Sequence, residues 1–212
     1  MIRDAATGET KGVTYELGRE LARRLGVPFE PVVYASVAEV FAALKSGEVD
    51  FAFTNATAVR AKDVDFTPPL MAVELGYLVL PGSPVSTLAD VDRPGIRVGV
   101  SQGGTSHGTL TRELKNATVV PAPTIKNAIE MLSTRKVDAF ATNKAVLFEM
   151  ADTLPGSRLL DGRWGLEQLA FAIPKGRELG MAYVRKFAED AKSEGLVDRA
   201  VQRAGLRGTA DT

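Results

Sequence analysis

The sequence predicts an α/β protein built as two similar halves, and three observations predict it. Amphipathic helices and short apolar strands alternate from Gly12 to Phe53 with brief connections between them. A connector rich in Pro, Ser and Asp, Ser83 to Pro94, interrupts that alternation, and a fresh one follows. Each half also contains a short strand opening on Val-Asp, Val49-Asp50 and Val137-Asp138, that runs toward polar residues at its end. Alternating strands and helices describe α/β units around a largely parallel sheet, which binds ligands where the carboxyl ends of its strands meet loops and helix amino termini.

The first ten residues are polar and contain glycine, and they read as a turn leading into a helix. From Gly12, Val13, Leu17, Leu21 and Leu25 recur on one helix face, and Gly26 stands where a C-terminal cap is expected. Phe29 to Tyr34, after Pro28, reads as a strand. Val37, Val40, Phe41 and Leu44 mark a second helix ended by Ser46-Gly47, and Val49 to Phe53 is the next strand. Leu75 to Leu80 is a buried strand stopped by Pro81-Gly82. Beyond the connector come a strand at Ile96–Val100, a Gly-rich turn at Ser101–Ser106, a helix to about Lys115, a strand at Ala117–Val120 and a helix from about Thr124. A strand from Val137 to Ala141 then ends in Thr142-Asn143. The chain returns through an extended run, Leu166 to Ile173, and closes with helices at Leu179–Ala191 and Leu196–Ala204. Arg207 to Thr212 is expected to fray. Passages near Tyr77–Leu80 and Leu169–Ile173 would form a hinge between the halves.

Composition narrows the functions. Twenty-six basic residues balance twenty-six acidic ones across 212 residues, so no overall field favours nucleic acid or an anionic membrane. There is no cysteine and a single histidine, His107, which removes thiolate chemistry and leaves little for a multi-histidine metal site or a Ser-His-Asp relay. No cofactor or metal is expected. No apolar run is long enough to cross a bilayer, and Met1-Ile2-Arg3-Asp4 is not a signal peptide, so these residues taken alone read as soluble and unexported.

Two stretches offer a site. In Asn55 to Thr67, small and hydroxyl residues after a strand lead to Arg60, whose planar fork of donors matches a carboxylate. The alternative is a solvated Arg60, or one paired with Asp63 or Asp65. The Gly-rich turn Ser101–Ser106 opens a helix and so presents backbone N–H groups and the positive end of the helix dipole. It lacks the Gly-Lys-Ser/Thr of a nucleoside-triphosphate loop and the glycine spacing of a dinucleotide fingerprint, leaving a small-anion cradle or a structural turn. His107 is read as an exposed first-turn residue and Trp164 as packing near the hinge. Glu167 and Gln168 are read as reaching a cleft or facing water.

The residues also resemble a known family. Gly12-Val13-Thr14-Tyr15-Glu16-Leu17 through Arg24-Leu25-Gly26 looks like the first helix of the family 3 periplasmic solute-binding proteins, the receptors of ABC importers, with Glu16 where Asp is usual. Thr57-Ala58-Val59-Arg60 through Val64-Asp65-Phe66-Thr67-Pro68-Pro69 is similar to the family's Thr-x-x-Arg…Val-Asp-Phe-Ser/Thr-x-Pro-Tyr signature. Val98 to Ser106 resembles its second-lobe strand and Gly-Thr turn, and Phe171-Ala172-Ile173-Pro174-Lys175-Gly176 its return strand.

The resemblance implies a two-lobed periplasmic binding protein-like (type II) fold with a hinge of two crossing strands, lobe 1 being 1–80 with 170–212 and lobe 2 being 81–169. It implies a monomeric, non-enzymatic receptor in the periplasm that closes on a small anionic or zwitterionic solute and delivers it to an ABC permease in the inner membrane. By carry-over Arg60 grips the ligand's carboxylate with Thr57, Thr54 and Asn55, joined by Gly104, Thr105 and Ser106 from the other lobe. Where amino-acid receptors of the family place an Asp for the ligand's ammonium, this chain has Asn143, which suits a carboxylate without an ammonium at least as well. Pro69-Leu70 stands in place of Pro-Tyr, and the segment from Asp50 to Arg60 is slightly shorter than usual. The family opens with an export signal and a central first strand that nothing before Arg3 supplies, so upstream residues or a partner chain's strand are expected. A dehydratase resembling the cyclohexadienyl dehydratases, with Glu167 as its acid, and a sensing module for a signalling partner are the alternatives.

Overall fold

The computed structural model describes residues 2–3, 10–34 and 37–210. In chain order the first elements are β1 (Ile2–Arg3), β2 (Thr10–Lys11), α1 (Val13–Leu25), α2 (Val37–Ser46), β3 (Ala52–Asn55), β4 (Val64–Phe66) and β5 (Met71–Val79). Then come β6 (Arg97–Ser101), α3 (Thr105–Glu113), β7 (Thr118–Ala122), α4 (Ile125–Ser133), β8 (Ala139–Asn143) and α5 (Lys144–Asp152). Last are β9 (Arg158–Leu159), β10 (Gly165–Pro174), α6 (Glu178–Ser193) and α7 (Leu196–Ala204). The chain divides into unit 1, residues up to Ala72 with Gln168–Leu206, and unit 2, Val73–Glu167 with the tail from Arg207.

In unit 1, α1 buries Leu17, Leu21 and Ala22 along the predicted stripe. Its end is a two-bond cap: the Gly26 N–H donates to the Arg23 carbonyl at 3.1 Å and the Val27 N–H to the Ala22 carbonyl at 3.1 Å. Gly26 has φ 70°, the left-handed value this cap requires. β3 and β4 both run antiparallel to β10, with Phe53 opposite Phe171 and Asp65 opposite Ile173. Leu44 of α2, Val64 and Ala172 make one apolar cluster over these strands. The Phe171 ring is a hub, 5.7 Å from Phe51, 5.2 Å from Phe53 and 5.7 Å from Phe187 of α6 between centroids. Phe29 continues the chain of rings from Phe51 to Tyr15 of α1.

The expected strand at Phe29–Tyr34 is irregular backbone. A strand persists only where its N–H and C=O groups meet a ladder partner, and none of the described strands pairs with this segment. Val32 and Val33 are accordingly exposed.

Unit 2 holds the helical crossovers. β6 pairs in parallel with β7 and with β8, as the connecting helices α3 and α4 demand, while β5 pairs antiparallel with β8 and β9. The sheet pairings are therefore mixed rather than largely parallel, because β10 and β5 run against their partners within each unit. Alternation along β8 separates two apolar layers. Ala139 and Ala141 face a cluster with Tyr77, Val98, Val100 and Leu110 of α3, and Phe140 faces one with Leu78, Ala128 and Leu132 of α4 and Leu147 and Met150 of α5. The helix α5, unannounced in the sequence reading, covers that second face.

The tail does not fray through Ala210. Thr209 bridges Val73, the Glu74 N–H donates to the Gly208 carbonyl at 2.8 Å, and Arg207 pairs with Asp152 at 2.6 Å. Arg207 also lies over the Phe148 ring, 5.1 Å from its centroid.

Candidate functional site

Unit 1 gathers Asn55, Thr57 and Arg60 just past the end of β3, with Thr54 the strand residue opposite Ala170. Asn55 is almost fully buried, and its Oδ1 accepts the Gln168 N–H at 3.0 Å, which locks the side chain against β10. Its main-chain carbonyl accepts from the Arg60 guanidinium at 2.9 Å. Arg60 begins a single turn of tight helix, Arg60–Lys62, steadied by Thr57: the Thr57 Oγ1 accepts the Arg60 N–H at 3.2 Å and the Thr57 carbonyl the Ala61 N–H at 2.9 Å.

The guanidinium lies over the Phe41 ring, 4.9 Å from its centroid, so a charged plane is laid on an aromatic face. Phe41 was legible in the sequence only as a helix core position, and nothing there marked it as the platform for Arg60. Asp63 pairs with Lys45 at 3.2 Å and Asp65 with Lys175 at 3.5 Å. The Asn55 carbonyl and the Phe41 ring help to orient a half-buried guanidinium that carries five donors, a geometry fitted to a planar anion.

Unit 2 places its candidates at the carboxyl ends of the neighbouring parallel strands β6 and β8. Gly104 caps the start of α3, its own N–H donating to the Ser101 carbonyl at 3.1 Å, and Thr105 and the buried Ser106 occupy the first turn, where main-chain N–H groups have no partner inside the helix. His107 braces this turn, its Nδ1 accepting the Gly103 N–H at 3.1 Å. Gly103 has φ 73°, a conformation that side-chain-bearing residues rarely adopt.

Asn143 ends β8 and caps α5: its Oδ1 accepts the Val146 N–H at 3.0 Å, and its Nδ2 donates to Glu167 at 3.4 Å. Trp164 packs on Tyr77 and donates its indole N–H to the Gly76 carbonyl at 3.0 Å. Among the described residues no group of three or more His, Asp or Glu side chains is placed to hold a metal ion, and no helix is long and apolar enough to cross a membrane.

Comparison with known proteins gives this arrangement its setting. The family model of the bacterial extracellular solute-binding proteins, family 3, matches residues 2–205, which includes both sets of candidate residues. The chain belongs to that family. It is similar to the ABC transporter glutamine-binding protein GlnH of Bacillus subtilis, 22% identical over 206 residues that cover 95% of this chain and 75% of the relative. Among solved structures it is similar to the ancestral amino acid-binding protein AncCDT-1, described as a precursor of cyclohexadienyl dehydratase, at 25% identity and a TM-score of 0.80, covering 94% of this chain and 88% of that one. The amino acid ABC transporter substrate-binding protein AbpA of Streptococcus pneumoniae, bound to L-arginine, has a TM-score of 0.80 at 23% identity, over 95% of this chain and 86% of that one. The family's two-lobed α/β fold is thus this chain's fold, and solute binding is its function.

Proposed function

We propose that this solute-binding protein is the receptor of an ABC importer, that it works outside the cytoplasmic membrane, and that its ligand is an amino acid whose carboxylate is taken by Arg60. Family membership over residues 2–205 supports the receptor role, and the names of GlnH and AbpA favour an amino acid over other solutes. The observation that carries the residue assignment is the held guanidinium: the Asn55 carbonyl and the Phe41 ring fix its orientation before any ligand arrives. Preorganisation of this kind reduces the ordering cost of binding. Thr57 and Thr54 are supporting groups in unit 1, while the first-turn amides of Thr105 and Ser106 are the anion donors of unit 2; Gly104, whose N–H is spent on the Ser101 carbonyl, only sets the turn. The delivery partner is a membrane permease, the receptor acts as a monomer, and periplasmic residence follows from the same reading.

A thermal-shift screen with L-glutamine, L-arginine and small dicarboxylates tests this directly, because a ligand that binds only the native state raises the melting temperature by mass action. Arg60→Ala is expected to weaken an amino acid by about 3 kcal/mol, on the order of a hundredfold in Kd, since it leaves the carboxylate without its charged partner. Unchanged affinity in that variant removes Arg60 from the site. The likeness to the dehydratase precursor favours one second reading, a dehydratase using Glu167 as general acid. Turnover of prephenate or arogenate by the purified chain would establish it in place of the pure receptor.

A further inference from the structure

Three successive amides of the turn before α3 are each tied down. The Gln102 N–H donates to the Ala122 carbonyl at 2.9 Å and the Gly104 N–H to the Ser101 carbonyl at 3.1 Å. The Gly103 N–H, between them, goes to a side chain instead, the Nδ1 of His107 at 3.1 Å. The amides left open are those of the first helical turn, Thr105 and Ser106 among them. Gly103 is exposed and left-handed, and no atom lies within 4 Å of where its Cβ would stand, so packing does not keep it in place. The half-buried imidazole is the side chain that fastens it to α3.

An imidazole that accepts at Nδ1 is neutral and carries its hydrogen on Nε2. Protonation places a second hydrogen on Nδ1, and the Gly103 N–H then faces a donor. Neighbouring charges form no substitute bond. α3 packs chiefly on β6 and β7; β7 has no charged side chain, and Arg97, the one on β6, is paired with Asp138 at the start of that strand. On α3 itself Arg112 lies back toward Gly108, and Glu113 ends the helix. We infer that His107 is a positioning residue for the anion donors of unit 2: its neutral imidazole holds Gly103, and through it the Thr105 and Ser106 amides, in the arrangement that meets the ligand's carboxylate, and acid releases them. This rests on the receptor reading above and adds to it a control of the same site by pH. With one histidine and no cysteine in the sequence, no other side chain ordinarily changes charge between about pH 5 and 8.

The test is isothermal titration with L-glutamine and L-arginine at about pH 8 and about pH 5, on the wild-type chain, His107→Leu and His107→Asn. Leucine removes the acceptor, whereas asparagine sets an oxygen close to the place of Nδ1 and does not titrate. At the higher pH, His107→Leu is expected to weaken amino-acid binding ~5-fold, the worth of one hydrogen bond, with His107→Asn within about twofold of wild type. At the lower pH the wild type is expected to lose the same ~5-fold and His107→Asn to keep its affinity. If His107→Leu does not fold, the contrast in pH profile between wild type and His107→Asn decides alone. Undiminished affinity in His107→Leu overturns the role of His107 and leaves the receptor reading standing, as does a wild type with equal affinity at both pH values. A loss in acid shared by His107→Asn places the titrating group elsewhere, and a loss in His107→Asn equal to that in His107→Leu marks a packing role; either overturns the inference. Tighter wild-type binding in acid also overturns it, since the imidazolium would then attract the anion itself. A wild type that binds neither amino acid overturns it together with the amino-acid reading beneath it.

Discussion

Arg60 and Glu20 are both charged and half-buried, and different neighbours hold them. Arg60 donates to the Asn55 carbonyl and lies over the Phe41 ring, which orient its guanidinium. Glu20, on the outer face of α1, is neutralised on the spot: hydrogen bonds from Arg23 at 2.6 Å and Arg24 at 2.9 Å hold its carboxyl well below the usual range, from 4.5 to about 2. Arg24 extends the cluster to Glu194, tying α1 to the end of α6. Because the folded-state value of Glu20 is depressed, the stability it contributes is fully present above about pH 4.5 and is lost as pH falls through about 2. Glu20→Gln should therefore flatten the acid limb of the stability curve in that window and cost about 0.5 kcal/mol at neutral pH, the modest worth of a solvent-screened pair. Urea midpoints for both proteins over a pH series measure this, and parallel curves would refute it.

The helices show what a periodic pattern can and cannot specify. α1, α6 and α7 lie within a residue or two of where their apolar spacing puts them, because burying one stripe against a core dictates both their extent and their facing. α5 is not legible in this way, since its signal is a cap, Asn143, set directly against the end of a strand, with no turn residue to separate the two. The strand at Phe29–Tyr34 failed for the converse reason: a β-like run specifies a strand only in company, and no single segment reveals whether its neighbour exists. For the candidate site, Arg60 and the Gly-Thr turn were legible as chemistry, whereas Phe41 beneath the guanidinium and Glu167 beside Asn143 arise from contacts distant in sequence. Packing between elements is equally hidden at Gly99 of β6. A Cβ there would stand 2.8 Å from the Phe140 ring and 3.3 Å from Val137, all within the buried sheet. Gly99→Ala is expected to destabilise the fold by about 2 kcal/mol through overpacking, despite alanine's ordinary tolerance for strands. Chemical denaturation reads the loss, and an unchanged midpoint would mean that Phe140 has room to move.

At the scale of the whole chain, the described residues pass between the units within β5 at Ala72–Val73, within β10 at Glu167–Gln168, and after α7 at Leu206–Arg207. The third depends on Gly208, whose φ of 84° suits glycine and where a Cβ would fall 2.5 Å from that of Lys144. Gly208→Ala should lift the tail from β5 and α5, and trypsin should then cut after Arg207 severalfold faster than in the parent; equal cleavage would show that the tail docks without this close approach. The same division governs the order of assembly. Unit 2 is nearly one uninterrupted run of sequence, whereas unit 1 must join Phe51 and Phe53 to Phe171, residues more distant in the chain than the strand partners among β5 to β9 of unit 2. Long loops are slow to close, so a nascent polypeptide leaving the ribosome can complete the β6–β8 ladder while the earlier-made strand β3 still waits for β10. The part synthesised first is thereby the part finished last, and it is the part that carries Arg60.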